Sequence, residues 1–314
     1  MTTISIVIPN YNGAALLEKN LKEVTKLASA NKTITEIIVV DDGSTDNSVV
    51  LINNKFANVV KLIQKNTNTG FGDTVNTGVN ASLGDFVLLL NTDTIPVSLN
   101  QENLAPYLKM DNLFAVGFLD QSVEKGGIVE RGRGIGIFHR GFLLHRKGRL
   151  EEQNTLWASS GSSLYNKRIW QKLGGLDLIY SPFYWEDLDI SYRALKRGYL
   201  VLFARNLIVS HFHDKGAIRT HFTSQKINSI ALRNQLIFVW KNITDTGFVL
   251  NHLFYLPIHL FSTIIKGDFS FLLAFFQALA KMGQILKKRA IEYRQKKVSD
   301  TELLKVFRKE FDSL

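Results

Sequence analysis

The sequence predicts an α/β fold built on a mostly parallel central sheet, with a helical region at the C-terminal end. Three observations carry that prediction. Apolar strand-like segments alternate with helical ones from residue 4 to about residue 120, the pattern of a doubly wound sheet. Phe86 to Leu90 form an unbroken apolar run between Gly84-Asp85 and Asn91-Thr92-Asp93-Thr94, which marks a central strand buried on both faces. Each predicted strand also ends in a polar or acidic turn, and ligands of open α/β sheets bind beyond the carboxyl ends of the strands.

The elements follow in order. Ile4 to Ile8 read as a strand stopped by the turn formers Pro9-Asn10-Tyr11-Asn12-Gly13. Leu16, Leu17, Leu21, Val24 and Leu27 then recur at helical spacing. Ile34 to Val40 make a second strand, broken by Asp41-Asp42-Gly43-Ser44-Thr45-Asp46, where Ser44 or Thr45 is expected to cap a helix beginning near Asn47. Val59 to Ile63 make a third. The run Asn66-Thr67-Asn68-Thr69-Gly70-Phe71-Gly72 and a helix through Val75 and Val79 lead to the central strand. Asp93 at its end stands where a metal or a phosphate would be held, although taken alone it is better read as a turn cap.

Between Phe114 and Trp157 the pattern weakens. Gly126-Gly127, Gly132, Gly134, Gly136 and Gly141 among basic residues predict irregular loops or a hairpin rather than core. Arg131, Arg133, His139 and Arg140 are either a solvated basic loop or within reach of a diphosphate. Small residues from Ala158 to Ser163 would let backbone approach a ligand closely. After Phe183-Tyr184-Trp185, the acids Glu186, Asp187 and Asp189 open a helix that closes at Gly198. Acids favour a helix N-terminus, and Asp189 can pair with Arg193 one turn on. Aromatic surface beside them would also raise a carboxyl pKa and suit a general base. Leu200 to Val209 is a further strand ending in Ser210-His211-Phe212-His213, and a lone histidine there is by spacing more often structural than a ligand.

Composition sets the outer limits. A chain of 314 residues, 45% hydrophobic, can bury a full core and leave material for an extension. The absence of cysteine excludes disulfides, thiolate metal sites and cysteine nucleophiles, so any metal must use oxygen or imidazole. Met1-Thr2-Thr3 runs straight into the first strand, and no secretion signal is expected. The net charge of +10 calls for a polyanionic partner, with the excess concentrated toward the C-terminus.

The turn after the first strand is neither a dinucleotide glycine fingerprint nor a Walker loop. Strand ends deliver Asn10, the Asp41/Asp42 pair and Asp93 instead. Carboxylates can accept a pyrimidine imide hydrogen or bind ribose hydroxyls, and a carboxylate with a divalent cation neutralises a diphosphate. That combination suits a nucleotide-sugar.

The linked runs Ile6-Val7-Ile8-Pro9-Asn10-Tyr11-Asn12, Val39-Val40-Asp41-Asp42-Gly43-Ser44-Thr45-Asp46, Asn68-Thr69-Gly70-Phe71-Gly72 and Leu90-Asn91-Thr92-Asp93-Thr94 resemble the family 2 glycosyltransferases with the GT-A fold. Within that family the chain resembles bacterial rhamnosyl-/galactofuranosyl-transferase-like enzymes, with glucosyl and N-acetylhexosaminyl transfer equally open. The resemblance implies that Asp41 and Asp42 meet base and ribose, with Asp42 on the base. Pro9, Asn10, Gly70, Asn76, Asn91, Thr92, Trp185 and Glu186 would complete the substrate site. Asn91-Thr92-Asp93 would be the family's Asp-x-Asp metal site with its first acid replaced, leaving Asp93 as the carboxylate ligand. Asp187 would be the base that deprotonates an acceptor hydroxyl, with inversion at the anomeric carbon. His211, 24 residues on, would be the second ligand for Mn²⁺ or Mg²⁺, with His213 its competitor. The catalytic domain would span residues 1–220, divided into a nucleotide-binding half to 120 and an acceptor half beyond.

From Thr220 onward the chain reads as helices. Residues 227–241 resemble the family's Arg-Asn helix, here Arg233-Asn234, packed behind the site. Phe248 to Ile265 is apolar but holds Asn251, His252, Pro257 and His259, and Phe269 to Ala280 is short, so neither is a convincing span. The basic cluster Lys281, Lys287, Lys288, Arg289, Arg294, Lys296 and Lys297 follows. An aromatic apolar segment before a basic cluster has the composition of a helix lying on an anionic leaflet, and burial on the domain or in a homodimer contact is the alternative. The expectation is a cytoplasmic enzyme bound peripherally to the inner face of the cell membrane, passing sugar from a nucleotide-diphosphate donor to a lipid-linked or polysaccharide acceptor. Two other classes compete. A nucleotidyltransferase would need a glycine-basic loop after the first strand, which is lacking. A basic nucleic-acid-binding protein would interleave its charge with exposed aromatics, and no nucleic acid partner is expected.

Overall fold

The computed structural model describes residues 2–124, 127–212, 222–267 and 269–314. Among these, nine strands form one sheet in the order β3-β2-β1-β4-β10-β6-β11-β5, with β7 paired to β6. The strands are β1 (Ile4–Asn10), β2 (Ile34–Asp41), β3 (Lys61–Gln64), β4 (Phe86–Leu90), β5 (Thr94–Ser98), β6 (Leu113–Glu124), β7 (Gly127–Arg131), β10 (Ser162–Asn166) and β11 (Leu200–Phe212). Strands β8 (Gly134–His139) and β9 (Phe142–Lys147) form a separate hairpin. β3, β2, β1 and β4 run parallel, and β10 enters antiparallel between β4 and β6. Every residue of β4 is buried, as its apolar run predicts.

Helices α1 (Ala14–Ala30), α2 (Ser48–Lys55), α3 (Phe71–Ala81), α4 (Gln101–Leu108), α5 (Lys167–Leu173) and α6 (Glu186–Lys196) belong to the sheet domain. α1 turns Leu17, Leu21 and Val24 inward beside Ile4, Ile6 and Ile8 of β1, while Val75 and Val79 of α3 share a cluster with Val7, Val87 and Leu89. The two faces of the sheet are therefore both covered by helices.

Several expectations need correction. Neither Ser44 nor Thr45 caps α2; Asp46 takes the Ser48 amide at 2.9 Å, while the Ser44 hydroxyl accepts from the Asn12 amide. The region after residue 113 also contributes core, because Leu113 to Val116 and Phe118-Leu119 are buried in β6, while the antiparallel pairs β6–β7 and β8–β9 match the hairpin expectation. Arg133 is not available to a diphosphate. It is buried, and it pairs with Glu310 at 2.7 Å and donates to Asn154.

The C-terminal part is α7 (Ser224–Asn242), α8 (Thr246–Ile265), α9 (Ser270–Leu279), α10 (Met282–Gln295) and α11 (Asp300–Ser313). α7 shares a core cluster with Trp185, Leu188 and Tyr192, as do Leu303, Leu304 and Phe307 of α11. Buried ion pairs fasten the last two helices: Lys196–Asp300 at 2.7 Å, Arg197–Glu292 at 2.9 Å and Arg133–Glu310. α8 is one continuous helix despite Pro257, and in length and composition it is sufficient to cross a membrane, which the sequence reading did not credit. One side of it is docked: His252 contacts the Gly141 carbonyl, Asn251 accepts from the Gly141 amide and His259 contacts the Arg140 carbonyl. The other side exposes Leu250, Leu253, Phe254, Ile258, Phe261 and Ile265, which recur at three- and four-residue spacing.

Candidate active site

The parallel strands deliver their polar ends to one edge. Asn10 ends β1 opposite Asp41, which ends β2, and Pro9 lies beside Val40 within the same register. The Asn10 amide donates to Asp41 Oδ1 at 2.7 Å, and Asp41 Oδ2 accepts from the Ser44 amide at 2.9 Å. Asp42, one residue on, organises the next loop: Oδ1 accepts from Thr69 N and Lys65 Nζ at 3.0 Å each, and Oδ2 from Gly70 N at 2.8 Å. Burial works to raise its carboxyl, yet the Thr69, Lys65 and Gly70 donors win and hold it below the usual carboxylate value. Gly70 sits at φ 95°, a conformation glycine adopts without strain. Lys65 also pairs with Asp73 at 2.7 Å.

Asn91, Thr92 and Asp93 form the turn between β4 and β5. The Asn20 side chain of α1 donates to the Thr92 carbonyl, the Asn91 amide donates to Gly161 O, and Thr94 N closes on Asn91 O. A Cβ at Gly161 would come within 2.3 Å of Asn91 Nδ2, so the small residues of this stretch make room for Asn91.

Strand register brings His211 to the same turn. β11 runs antiparallel to β5 with His211 opposite Thr94, and parallel to β6 with His211 beside Ser122. His211 Nε2 therefore lies 3.1 Å from Asp93 Oδ1, and Nδ1 lies 2.7 Å from Asp120 Oδ2. Burial opposes the imidazolium, but the bonds to Asp120 and Asp93 outweigh it and push the group up to about 9. A carboxylate and an imidazole nitrogen that converge, with the far nitrogen held by a second carboxylate, fit a divalent cation that would take the place of the Nε2 proton. Among the described residues no three His, Asp or Glu groups converge on one point, so further ligands would come from other oxygen donors, water or substrate. His213 lies outside the described residues.

The acid-aromatic motif opens α6, and it is linked to the Asn91 turn through residues 160 and 161, which meet Asp187 and Asn91 respectively. Tyr184 and Trp185 have φ 71° and 78°, adjacent left-handed residues that carry side chains, and Trp185 is the N-cap. Its ring packs at 5.2 Å from His145 and 5.1 Å from Phe238. Asp187 Oδ1 accepts from Leu188 N at 2.7 Å, and the Ser160 amide also bonds this carboxyl. Burial raises the Asp187 carboxyl to about 6, and burial with the neighbouring Asp187 charge raises Glu186 to about 8. Asp189 goes the other way. Burial alone would raise it, but Lys241 at 2.8 Å and Arg193 at 2.7 Å hold it well below the carboxylate range. It also accepts from the Tyr180 hydroxyl and Asn242, which fixes it as a structural acid.

The site residues named from sequence are thus distributed unevenly. Asn10, Asp41, Asp42 and Gly70 stand together, as do Asn91, Thr92, Asp93 and His211, and as do Trp185, Glu186 and Asp187. Asn76 is elsewhere engaged: its amide donates to Leu176 O at 2.8 Å and accepts from Leu176 N at 2.9 Å, a brace for the Gly174-Gly175 turn. Asp120, Lys65 and Asn20 were missed. Asp120 was findable, since it is an acid near the carboxyl end of an apolar strand, the rule that picked out Asp93.

A sheet of this order with its acids at the strand ends and a helical C-terminal region is the GT-A architecture. The model of the family "Glycosyl transferase family 2" matches residues 5–174, and the chain belongs to that family. An uncharacterized glycosyltransferase of Haemophilus influenzae is 33% identical over 90 residues, covering 29% of each chain. The chain therefore matches well under two thirds of the length of such curated relatives. A solved structure of GalNAc-T7 with UDP, GalNAc and Mn²⁺ superposes with a TM-score of 0.62 at 18% identity, covering 78% of this chain and 49% of that one. Staphylococcus aureus TarS 1–349 in complex with UDP-GlcNAc gives 0.56 at 16% identity, covering 99% and 92%.

Proposed function

We propose that the protein is an inverting, divalent-cation-dependent glycosyltransferase, moving a sugar from a nucleotide-diphosphate donor to a lipid-linked or polysaccharide acceptor in cell-surface glycan synthesis. The observation that carries this reading is the convergence of His211 and Asp93 at 3.1 Å, with Asp120 behind the imidazole, on the edge where Asp41 and Asp42 also end. Buried polar atoms without a partner add to it. Among the described residues Asn10 Oδ1 and Glu186 Oε2 are in that state, which costs on the order of 1–3 kcal/mol each unless a ligand satisfies them.

In this reading Asn10, Asp41 and Asp42 take the base and ribose. Among the described residues Asp42 Oδ2 accepts from Gly70 N alone, which leaves a lone pair for an imide hydrogen. Pro9, Gly70, Asn91 and Thr92 shape the walls. Asp93 and His211 would hold Mn²⁺ or Mg²⁺, which when bound neutralises the leaving diphosphate. Asp187 accepts the proton of the attacking hydroxyl. A carboxylate with a pKa near 6 is ionised at neutral pH yet basic enough to take that proton as attack proceeds. Glu186, protonated at the same pH, donates to a sugar oxygen, and Trp185 closes the acceptor side.

Residues 1–220 would be the catalytic domain and 221–314 the region that meets the membrane. The exposed face of α8, with Leu273, Phe276 and Leu279 of α9, carries no charged residue and would lie in the interface of an anionic leaflet on the cytoplasmic side, held by Lys266, Lys281 and Lys287. A homodimer through this face is the competing use. Incubation of the protein with UDP-, dTDP- and GDP-sugars, Mn²⁺ and lipid extracts, followed by mass spectrometry of the lipids, tests the reading. One sugar added to one lipid class supports it, and release of free nucleotide with no transfer from any donor counts against it.

A further inference from the structure

The loop before α6 turns four carbonyls toward α7. Asn234 Nδ2 lies 2.7 Å from Tyr180 O and 2.9 Å from both Phe183 O and Tyr184 O, while Arg233 Nη2 lies 2.6 Å from Ser181 O. Asn234 Oδ1 in turn accepts from Arg233 Nε at 3.0 Å and Nη2 at 2.8 Å, so the amide is held with its donors facing the loop. Asn234 is fully buried, and among the described residues it is the one side chain that hydrogen-bonds the Phe183 and Tyr184 carbonyls. These carbonyls belong to Phe183, which precedes the left-handed pair Tyr184-Trp185, and to Tyr184, its first member, and Glu186 and Asp187 follow at once.

We propose that Arg233 and Asn234 are positioning residues that hold the strained Tyr184-Trp185 backbone and thereby aim the Asp187 carboxylate; the inference rests on the reading of Asp187 as base. Left-handed conformations at residues bearing side chains persist only where the surroundings over-determine them. The body of α6 has its own anchor, since Asp189 is held by Lys241 and Asn242 two turns further along α7. Residues 234, 241 and 242 share one face of that helix, because seven residues make nearly two turns. α7 therefore fixes the catalytic segment at two points, the helix body through Asp189 and the entry turn through Asn234. Loss of the second point lets Tyr184 and Trp185 relax to negative φ while α6 stays docked, and the first-turn carboxylates swing away from the donor.

The test uses the full chain with Asn234→Ala and, because a buried asparagine can be needed for folding, Arg233→Met at a half-buried position. Three quantities are read: kcat at saturating donor, donor affinity by calorimetry, and amide hydrogen exchange along the chain. Asn234→Ala is expected to lower kcat about 10- to 100-fold and Arg233→Met about 3- to 10-fold, the scale set by small misplacements of a catalytic group. Donor affinity should stay within about twofold of wild type, and faster exchange should be confined to residues 180–188. An unchanged kcat alongside faster exchange there would overturn the proposal, as would a kcat loss matched by weaker donor binding and exchange throughout the sheet. A wild-type chain that transfers no sugar would instead remove the reading of Asp187 as base, and the exchange pattern would still decide whether Arg233 and Asn234 hold the loop.

Discussion

Asp42 at the end of β2 and Asp187 at the start of α6 are both carboxyls enclosed by protein, yet their surroundings push them in opposite directions. Asp42 is met by backbone amides and Lys65, donors that favour the ionised form strongly enough to overcome burial. Among the described residues Asp187 has amide partners but no cation, so burial prevails and its pKa rises to about 6. The donor side is thus built around an acid, Asp42, held in its ionised form, and the acceptor side to exchange a proton. Asp189, two residues from Asp187 on the same helix, makes the point within a single turn: adding Lys241 and Arg193 converts a proton-exchanging environment into a structural one.

The largest expected effect separates the two sides. Asp187→Asn should lower transfer about 10²- to 10⁴-fold, the usual worth of a general base, with donor binding unchanged. The pH profile follows from the same surroundings, in which Asp187 acts on Glu186 and Tyr165. The rate should climb with pH through about 6 as Asp187 loses its proton, and fall above about 8 as Glu186 does. Both pKa values lie above their unfolded values, so this pair favours the folded state when protonated and its contribution is lost as pH rises through about 6 and 8. Asp187→Asn should therefore raise the melting temperature at pH 8 by about 2 °C, a shift visible by differential scanning fluorimetry.

Next in size is the clamp at the chain's end. Glu310→Ala leaves the buried Arg133 guanidinium without its carboxylate and should cost about 3 kcal/mol of stability, measured by urea unfolding. Asp120→Asn should weaken cation affinity about 10- to 100-fold while leaving metal-free nucleotide binding intact, as expected for the residue that orients a ligating imidazole. The smallest effect is at the exposed apolar face. Replacing Phe254 and Phe261 together by Glu should reduce pelleting with anionic liposomes at least about tenfold, given the area each ring would bury. A change in sedimentation coefficient without a change in pelleting would favour the homodimer instead.

How far the sequence could be read follows the same division. The strand-acid-helix units were legible because their apolar runs and turn residues are local: Ile4–Asn10, Ile34–Asp41 and Phe86–Leu90 lie where the pattern put them. β10 was not, because Ser162-Ser163-Leu164-Tyr165-Asn166 has no apolar run and becomes a strand only between β4 and β6. Asp93, Asp187 and His211 stand out in sequence as acids or imidazole at element ends. What sequence could not show is pairing across distance. Asp120 meets His211 through strand register, Arg133 meets Glu310 across most of the chain, and Asn76 faces Leu176 rather than a ligand.

Calorimetric titration of UDP-, dTDP- and GDP-sugars, with and without Mn²⁺, into wild type, Asp93→Ala and Asp187→Asn tests the division of labour most directly. The account predicts cation-dependent binding of one donor class by wild type and Asp187→Asn alike, lost in Asp93→Ala. Donor binding lost in Asp187→Asn but kept in Asp93→Ala would contradict it.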